Sequence, residues 1–261
     1  MSSSLTKRVC FVFFLLAASV PVFAGDITGS LYLDNFQFSP ETQSADSAVT
    51  PTDQTPLSYS VQLPGNEPNR LTLKSFPSNL GHNAVSLFST QNLIPLLSGL
   101  AVSGVATHYD DSVEDYFDGK NTHTAFADTG ATFGKPYVLA PAIGALFVTG
   151  LHSHDKRFKS FTYALTQGYV LDAGIGLALK EVTNRQRPDG SNSMSFPSGH
   201  STDSFMIATV IDQFYGHKAG IFAYAAAGLI SASRLKSNVH WLSDVTAGAT
   251  IGYIIGRTVS R

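Results

Sequence analysis

Long apolar segments separated by short polar turns make up the chain from about residue 80 onward. No stretch shows the sustained apolar/polar alternation, bounded by hairpin turns, that is typical of strands. The pattern therefore predicts an all-α protein, a bundle of about six helices. The predicted helices cover about 83–107, 136–151, 158–182, 200–214, 219–233 and 241–258.

The first 24 residues have the three-part pattern of a secretory signal peptide. Lys7 and Arg8 give a basic start, residues 9–20 are apolar, and Val22-Phe23-Ala24 fits a signal peptidase site. The apolar run is short for a membrane span, although an uncleaved N-terminal anchor stays open as the alternative. We expect residues 1–24 to be removed and the mature protein to be exported to the periplasm.

Two segments follow the signal peptide. Residues 25–79 are rich in Ser, Thr, Asp, Gln and Pro and show no lasting apolar period, which predicts a polar, partly disordered lead-in. Residues 80–261 form the predicted helical domain.

The lengths of the apolar segments bear on membrane contact. Residues 136–154 contain no Asp, Glu, Lys or Arg over 19 residues, but they include two prolines and two histidines, and 219–233 and 245–256 are shorter. A membrane span requires about 20 apolar residues. The sequence favours a soluble or peripheral protein, and a membrane-embedded one stays open.

Charge and cysteine content exclude two classes of protein. Removal of the signal peptide leaves 15 Lys and Arg against 19 Asp and Glu, so the formal charge moves from −2 to −4. A nucleic-acid-binding protein would need a basic excess. The single cysteine, Cys10, leaves with the signal peptide, so the mature protein has neither a disulfide nor a thiol nucleophile.

Two stretches carry groups suited to an anion. In the first, Lys180 and Arg187 lie two helical turns apart, with Pro188 ending the predicted helix. In the second, Pro197-Ser198-Gly199-His200 comes directly before an apolar helix. The backbone N–H groups at that helix start favour an anion, and Gly199 allows the anion to approach closely.

A third stretch adds a paired histidine and carboxylate. Ser233-Arg234 is followed by His240 and Asp244, four residues apart on a predicted helix, so the carboxylate can accept a hydrogen bond from the imidazole. That bond would fix the tautomer and leave the other ring nitrogen free to attack. Glycines recur every four residues further along the same helix and predict a groove for a second helix: Gly248, Gly252 and Gly256.

Together the three stretches supply what phosphoryl transfer requires: cations, an anion site, a nucleophile and an acid. Their order and spacing closely resemble the signature of the phosphatidic acid phosphatase type 2 superfamily, which includes bacterial acid phosphatases and vanadium haloperoxidases. All three parts of that signature match without substitution. The resemblance covers about residues 80–258.

The resemblance implies an all-helical phosphatase domain with the active site between helices. It implies that His240 is the nucleophile and forms a phosphohistidine, that Asp244 orients it, and that His200 protonates the leaving oxygen. It assigns the binding of the phosphate oxygens to Lys180, Arg187, Ser198, Gly199 and Arg234, and it implies no metal and no cofactor.

Several alternatives stay open at this stage. The substrate is either a small phosphorylated molecule or a lipid phosphate such as an isoprenoid diphosphate, the latter implying an enzyme at the membrane. A vanadate-dependent haloperoxidase and a non-catalytic binding protein are less favoured. The acidic run from Asp110 to Asp118 does not fit a calcium-loop pattern, and we expect a solvated or helix-capping loop there.

Overall fold

A computed structural model describes residues 71–117 and 125–261. Within these ranges the regular structure is helical throughout, and the all-α fold class predicted from the sequence is confirmed. The predicted signal peptide and most of the predicted lead-in lie outside the described residues. The helices are α1 (Phe76–Ser86), α2 (Thr90–Ala106), α3 (Asp110–Phe117), α4 (Ala125–Phe133), α5 (Pro136–Leu151), α6 (Lys156–Thr183), α7 (Gly199–Tyr215), α8 (His217–Lys236) and α9 (Leu242–Val259).

The helix ends follow from local sequence. Asp155 caps α6 by accepting hydrogen bonds from the backbone N–H groups of Arg157 and Phe158, at 2.8 and 3.3 Å. Asn184 ends the same helix in the left-handed conformation, with φ 42°. Gly216, with φ 84°, allows the tight turn from α7 to α8.

Helix α9 forms the centre of the domain. All of its residues except Arg257 are buried, and it packs against α7, α2 and α6. The main hydrophobic core lies around it, with Phe205, Met206 and Ile255 among its buried side chains. A helix that is apolar on every side is stable only when other helices surround it.

The glycines of α9 are where α7 approaches most closely. A Cβ atom on Gly252 would lie 2.2 Å from the carbonyl oxygen of Thr202, and one on Gly248 would lie 2.7 Å from that of Ser198. The groove predicted from these glycines is therefore occupied by α7. This contact fixes the first turn of α7, which carries Gly199 and His200.

Most of the predicted helices match the structure within a few residues. The helix predicted at 83–107 is instead two helices, broken at residues 87–89, and α1 begins at Phe76, inside the segment predicted as a lead-in. Residues 110–117 form α3, and Asp110 at its start is buried. The prediction of a solvated or capping acidic loop is therefore wrong for Asp110, which is bound inside the domain by a distant arginine, whereas Asp111 and Asp115 are exposed.

Large apolar side chains are exposed on several helices. Phe88, Ile94 and Phe222 are 80%, 77% and 79% exposed. Among the described residues, no single helix has the length and hydropathy of a membrane span. Two bent pairs, Phe76–Ser86 with Thr90–Phe117 and Ala127–Phe133 with Pro136–Leu151, meet that test by length and composition.

Candidate active site

His240 lies in the short connection between α8 and α9, before the helix begins at Leu242. Its Nδ1 is 2.7 Å from the carbonyl oxygen of Ser195. Because a carbonyl only accepts, Nδ1 carries the proton in this contact and Nε2 keeps its lone pair. A backbone oxygen therefore selects the tautomer that leaves Nε2 unprotonated.

Asp244 lies in the first turn of α9 and is completely buried. Its Oδ2 accepts hydrogen bonds from the backbone N–H of Trp241 at 2.9 Å and from the hydroxyl of Ser195 at 2.5 Å. Its Oδ1 accepts one from Arg185 at 2.5 Å. The Asp244 carboxylate is therefore held by three donors, two on the connection between α6 and α7 and one directly before α9.

The direct hydrogen bond expected between His240 and Asp244 is not made. Nδ1 of His240 is 3.8 Å from Oδ2 of Asp244, which is beyond hydrogen-bonding distance. The expectation assumed that both residues lie on one helix, whereas His240 precedes α9. Asp244 acts on the imidazole through its charge and through Ser195, which contacts both side chains.

Burial and charge set the ionisation of this pair. Burial lowers the pKa of His240, and the neighbouring Asp244 carboxylate opposes that shift in part. Burial would by itself raise the pKa of Asp244, but the neighbouring His240 imidazole, the hydrogen bond from Ser195 and the charge of Arg185 together hold it below the usual value. At neutral pH the site thus contains a neutral imidazole beside a carboxylate.

His200 lies in the first turn of α7. Its Nε2 is 2.8 Å from the carbonyl oxygen of Ala131 at the end of α4. A Cβ atom on Gly134 would lie 2.2 Å from the His200 ring, so this glycine makes room for the imidazole. Burial, together with the charges of Arg234, His240 and Arg187, lowers the pKa of His200 to about 4, against the opposing Ala131 hydrogen bond.

Three cations lie close enough to influence these histidines. Lys180 donates to the carbonyl oxygens of Met194 and Pro197, at 3.0 and 2.5 Å, so it also braces the loop before α7. Burial, with the charge of Arg187, lowers the pKa of Lys180 to about 8. Arg187 has a buried Nε without a hydrogen-bond partner.

Arg234 is the third cation and is 5% exposed. Its Nη2 donates to the carbonyl oxygen of Ala127 at 2.8 Å, and its Nε and Nη2 donate to the hydroxyl of Ser233. Burial lowers its pKa to about 10, with Arg187 contributing in the same direction, so it stays charged at neutral pH.

The start of α7 faces these cations. Ser198 is the buried N-cap residue, and its side chain makes no capping hydrogen bond to the helix. A Cβ atom on Gly199 would meet open space, unlike one on Gly248 across the helix contact. Free N–H groups of the first turn and open space before them are what an anion requires.

The comparisons with known proteins bear on these residues. Residues 160–261, which hold every predicted site residue, match the model of the PAP2 superfamily. A phosphatidylglycerophosphatase B of Bacillus subtilis is 30% identical over 143 residues, covering 49% of this chain and 69% of that protein. The chain belongs to the PAP2 superfamily. The family predicted from the three motifs is therefore confirmed.

Two further proteins are similar to this PAP2 chain. A lipid A 1-phosphatase of Porphyromonas gingivalis is 30% identical over 193 residues, which is 70% of this chain but 41% of that longer protein. The crystal structure of a transmembrane PAP2-type phosphatidylglycerolphosphate phosphatase from Bacillus subtilis has a TM-score of 0.50 at 18% identity. That comparison covers 71% of this chain and 92% of the other, and it bears on the fold alone.

The PAP2 motifs do not include every residue that shapes the site. Sequence reasoning missed Ser195, Arg185 and Asp110, which determine the environment of His240 and Asp244. Ser195 and Arg185 lie beside or between motif positions, so their proximity was a signal. Asp110 had no such signal, because it meets the site only after the chain has folded.

In the described part of this PAP2 chain, no three or more His, Cys, Asp or Glu side chains are grouped as metal ligands. Metal independence stays a prediction. The groups that could balance the charge of a phosphate at this site are the Lys180, Arg187 and Arg234 cations.

Proposed function

We propose that this chain hydrolyses phosphate esters through a phosphohistidine formed on His240, with no metal ion or other cofactor. The observation that carries the proposal is the state of His240, whose Nδ1 faces the Ser195 carbonyl oxygen at 2.7 Å. Its Nε2 lone pair is therefore available for nucleophilic attack. Burial keeps the ring neutral at the pH where the phosphate is a dianion.

In the first half-reaction, Nε2 of His240 attacks phosphorus, and the bond from phosphorus to the leaving oxygen breaks. Lys180, Arg187, Arg234, Ser198 and the Gly199 backbone bind the phosphate oxygens, and their positive charge stabilises the transition state. Asp244 stabilises the cationic imidazole that forms. His200 gives a proton to the leaving oxygen.

In the second half-reaction, a water molecule gives a proton to His200 and attacks phosphorus. The bond from phosphorus to Nε2 breaks, so inorganic phosphate leaves and the neutral imidazole is restored. With a pKa of about 4 in the empty site, His200 is neutral at pH 7, so it can accept a proton only as a weak base and lacks the proton that it would donate. A bound phosphate dianion would raise its pKa, so the acid forms mainly when substrate is present.

Trapping of the intermediate tests the mechanism. The purified protein is mixed with a ³²P-labelled substrate and stopped in alkali, in which phosphohistidine survives. We expect label on the wild type and on His82→Ala, an exposed control, and none on His240→Ala. Label that persists in His240→Ala would assign the nucleophile to another residue.

We further propose that the leaving group carries an apolar chain, as in a lipid or isoprenoid phosphate. A cavity of about 240 Å³ opens beside His200 and Asp203 between α5, α7 and α8. Apolar side chains line most of it, including Leu139, Ile207, Ile211, Ala223 and Ile230. His200 faces the leaving oxygen in the proposed mechanism, so a hydrocarbon attached to that oxygen would enter this cavity. The relatives named above support the same class, since lipid A and phosphatidylglycerophosphate are lipids.

Filling the cavity distinguishes lipid from small substrates. Ala223→Phe places a ring in the cavity, whereas Ala225→Phe places the same ring on the exposed face of α8. We expect Ala223→Phe to lose activity on a lipid phosphate in mixed micelles at least tenfold more than activity on nitrophenyl phosphate. Equal losses on both substrates would favour the small phosphorylated molecule as the natural substrate class.

We also propose that the protein is exported and works at a membrane surface. Leu93, Leu97 and Leu100 are exposed and recur along α2 at spacings of four and three residues, so they share one apolar face of the helix that supports membrane contact. The basic start, apolar run and cleavage site of residues 1–24 support export. N-terminal sequencing of the exported protein should read Gly-Asp-Ile, and the protein should sediment with membranes until detergent is added. An intact Met1 would contradict cleavage. Recovery of the protein in the soluble fraction without detergent would contradict membrane contact.

A further inference from the structure

Two residues outside the three motifs connect to Asp244 through one guanidinium group. Arg185 lies just after α6, and its Nη1 donates to Oδ1 of Asp244 at 2.5 Å and to the hydroxyl of Ser243 at 2.7 Å. Its Nη2 donates to Oδ2 of Asp110 at 2.7 Å. The guanidinium therefore bridges two carboxylates that come from opposite ends of the described chain.

Asp110 is held on both of its oxygens. Oδ1 accepts from the backbone N–H of Ser243 at 2.9 Å, and Oδ2 accepts from the Ser243 hydroxyl at 2.6 Å as well as from Arg185. Asp110 is 4% exposed and starts α3. It thus binds the first turn of α9 at Ser243, the residue directly before Asp244.

The route of the chain explains why Arg185 reaches this place. Asn184 ends α6 in the left-handed conformation, which turns the next residue away from the helix axis. The carbonyl oxygen of Arg185 accepts from the backbone N–H of Ser195 at 2.9 Å, and the guanidinium lies 5.5 Å from the centre of the Trp241 ring. The same arginine thereby holds the segment whose Ser195 carbonyl faces His240.

Arg185 differs from the proposed phosphate-binding cations. Lys180, Arg187 and Arg234 all act on the ionisation of a site histidine, whereas Arg185 is paired with two carboxylates. Its single positive charge lies between the two carboxylates. A buried carboxylate that loses its partner and gains a like-charged neighbour is strongly disfavoured.

Resting on the proposed function, we infer that Arg185 and Asp110 are positioning residues for catalysis. Together they hold Asp244 ionised and in place beside the nucleophile His240. Asp110 fixes the guanidinium and the start of α9, and Arg185 transmits that position to the Asp244 carboxylate. Neither residue touches the phosphate.

The test uses Arg185→Gln, Arg185→Lys, Asp110→Asn and the double variant Arg185→Gln/Asp110→Asn in the full chain. Asp111→Asn is the matched control, since Asp111 is the exposed neighbour on α3. For Arg185→Gln we expect kcat for nitrophenyl phosphate to fall on the order of 10²-fold. A loss of that size is what a displacement of a catalytic group by about 1 Å causes. KM and the inhibition constant of inorganic phosphate should change less than threefold. Arg185→Lys should recover part of the loss, because one amino group cannot bridge both carboxylates.

The pH profile separates positioning from a merely structural role. His240, Arg185 and Lys180 are the charged or titratable groups that act on Asp244, with Asp110 acting through Arg185. Loss of Arg185 raises the pKa of Asp244, so activity should fall at a higher pH on acidification than in the wild type. The double variant should lose less than the product of the single losses, since both act through one contact.

Each outcome decides between these roles. Loss of activity in proportion to loss of folded protein, with the wild-type pH profile, would overturn the inference, and so would a tenfold rise in the phosphate inhibition constant at unchanged kcat. Asp110→Asn keeps the side-chain shape and serves as the readout where Arg185→Gln does not fold. Absence of labelled intermediate in the wild type would instead remove the proposed function itself.

Discussion

The Nδ1 atom of His240 lies 2.7 Å from the carbonyl oxygen of Ser195, and the hydroxyl of the same serine lies 2.5 Å from Oδ2 of Asp244. Ser195 thus connects the two residues whose side chains are 3.8 Å apart. The serine is completely buried, so both contacts are shielded from water. The orientation of His240, the proposed nucleophile, therefore depends on the loop before α7 as well as on α9.

Ser195→Ala should lower activity most strongly at acidic pH. The substitution removes one donor that holds the pKa of Asp244 down, so the carboxylate becomes protonated at a higher pH than in the wild type. A hydrogen bond to a charged group contributes about 1.5–3 kcal/mol, which corresponds to a loss on the order of tenfold or more in kcat/KM. The measurement is the pH profile of kcat/KM, with the exposed Ser191→Ala as the control. A uniform loss at all pH values would contradict this role of the hydroxyl.

His200→Ala should discriminate between leaving groups. An alkyl alcohol needs a proton as it leaves, whereas nitrophenol leaves as a stable anion, so general acid catalysis matters only for the first. We expect kcat to fall about 10²- to 10⁴-fold for an alkyl phosphate and far less for nitrophenyl phosphate. Steady-state kinetics on both esters measure the difference. Equal losses would mean that His200 does not act as the acid.

Activity should survive chelators and be inhibited by vanadate. Lys180, Arg187 and Arg234 are placed to neutralise the phosphate oxygens, and the buried Arg187 Nε has no protein partner to give up. Vanadate takes the geometry of the phosphoryl transition state and should compete with substrate at the same site. Activity is assayed after dialysis against a chelator and with added vanadate. Loss of activity restored by a divalent metal would contradict metal independence.

Gly252→Ala should destabilise the domain and displace the first turn of α7. The added Cβ atom would lie 2.2 Å from the Thr202 carbonyl oxygen and 2.9 Å from the Met206 nitrogen, and backbone atoms cannot turn away as a side chain can. Overpacking of this kind costs about 1–3 kcal/mol of unfolding free energy. Gly176→Ala on α6 is the control: its Cβ atom meets nothing within 4 Å, so it should stabilise by about 0.5–1 kcal/mol. Denaturant unfolding of both variants measures the effect, and similar stabilities would contradict the close helix contact.

Asp203→Asn should stabilise the protein above pH 6. Burial raises the pKa of Asp203 to about 6, and burial together with the charge of Asp203 raises that of Asp172. The Asp203 carboxyl holds its proton more tightly in the folded state than in the unfolded chain. The free energy of unfolding of the wild type should therefore fall as pH rises from about 4 through 6. The amide does not titrate, so the substitution removes the part of the pH dependence of stability that comes from Asp203. Melting temperatures at pH 5 and pH 8 test it, and an equal gain at both pH values would contradict the assignment.

The sequence by itself determined the fold class and was enough to propose the eight site residues. The helices from 136 to 258 could be predicted because their apolar segments are long and are bounded by Pro, Gly and Asn. The glycines of α9 predicted a close helix contact, which α7 makes. The site residues stay a proposal, which the sequence supports because they lie in three short motifs where spacing along the chain is informative.

The tertiary structure alone decided how those residues act on one another. His240 and Asp244 are four residues apart, yet the hydrogen bond that a helix would allow is replaced by contacts through Ser195, since α9 begins only at Leu242. Arg185 joins Asp110 to Asp244 across more than a hundred residues of chain. Such contacts depend on how helices pack, and no local pattern encodes them, because each partner alone resembles an ordinary surface charge. Folding gives the arginine and its two carboxylates their role by burying them together.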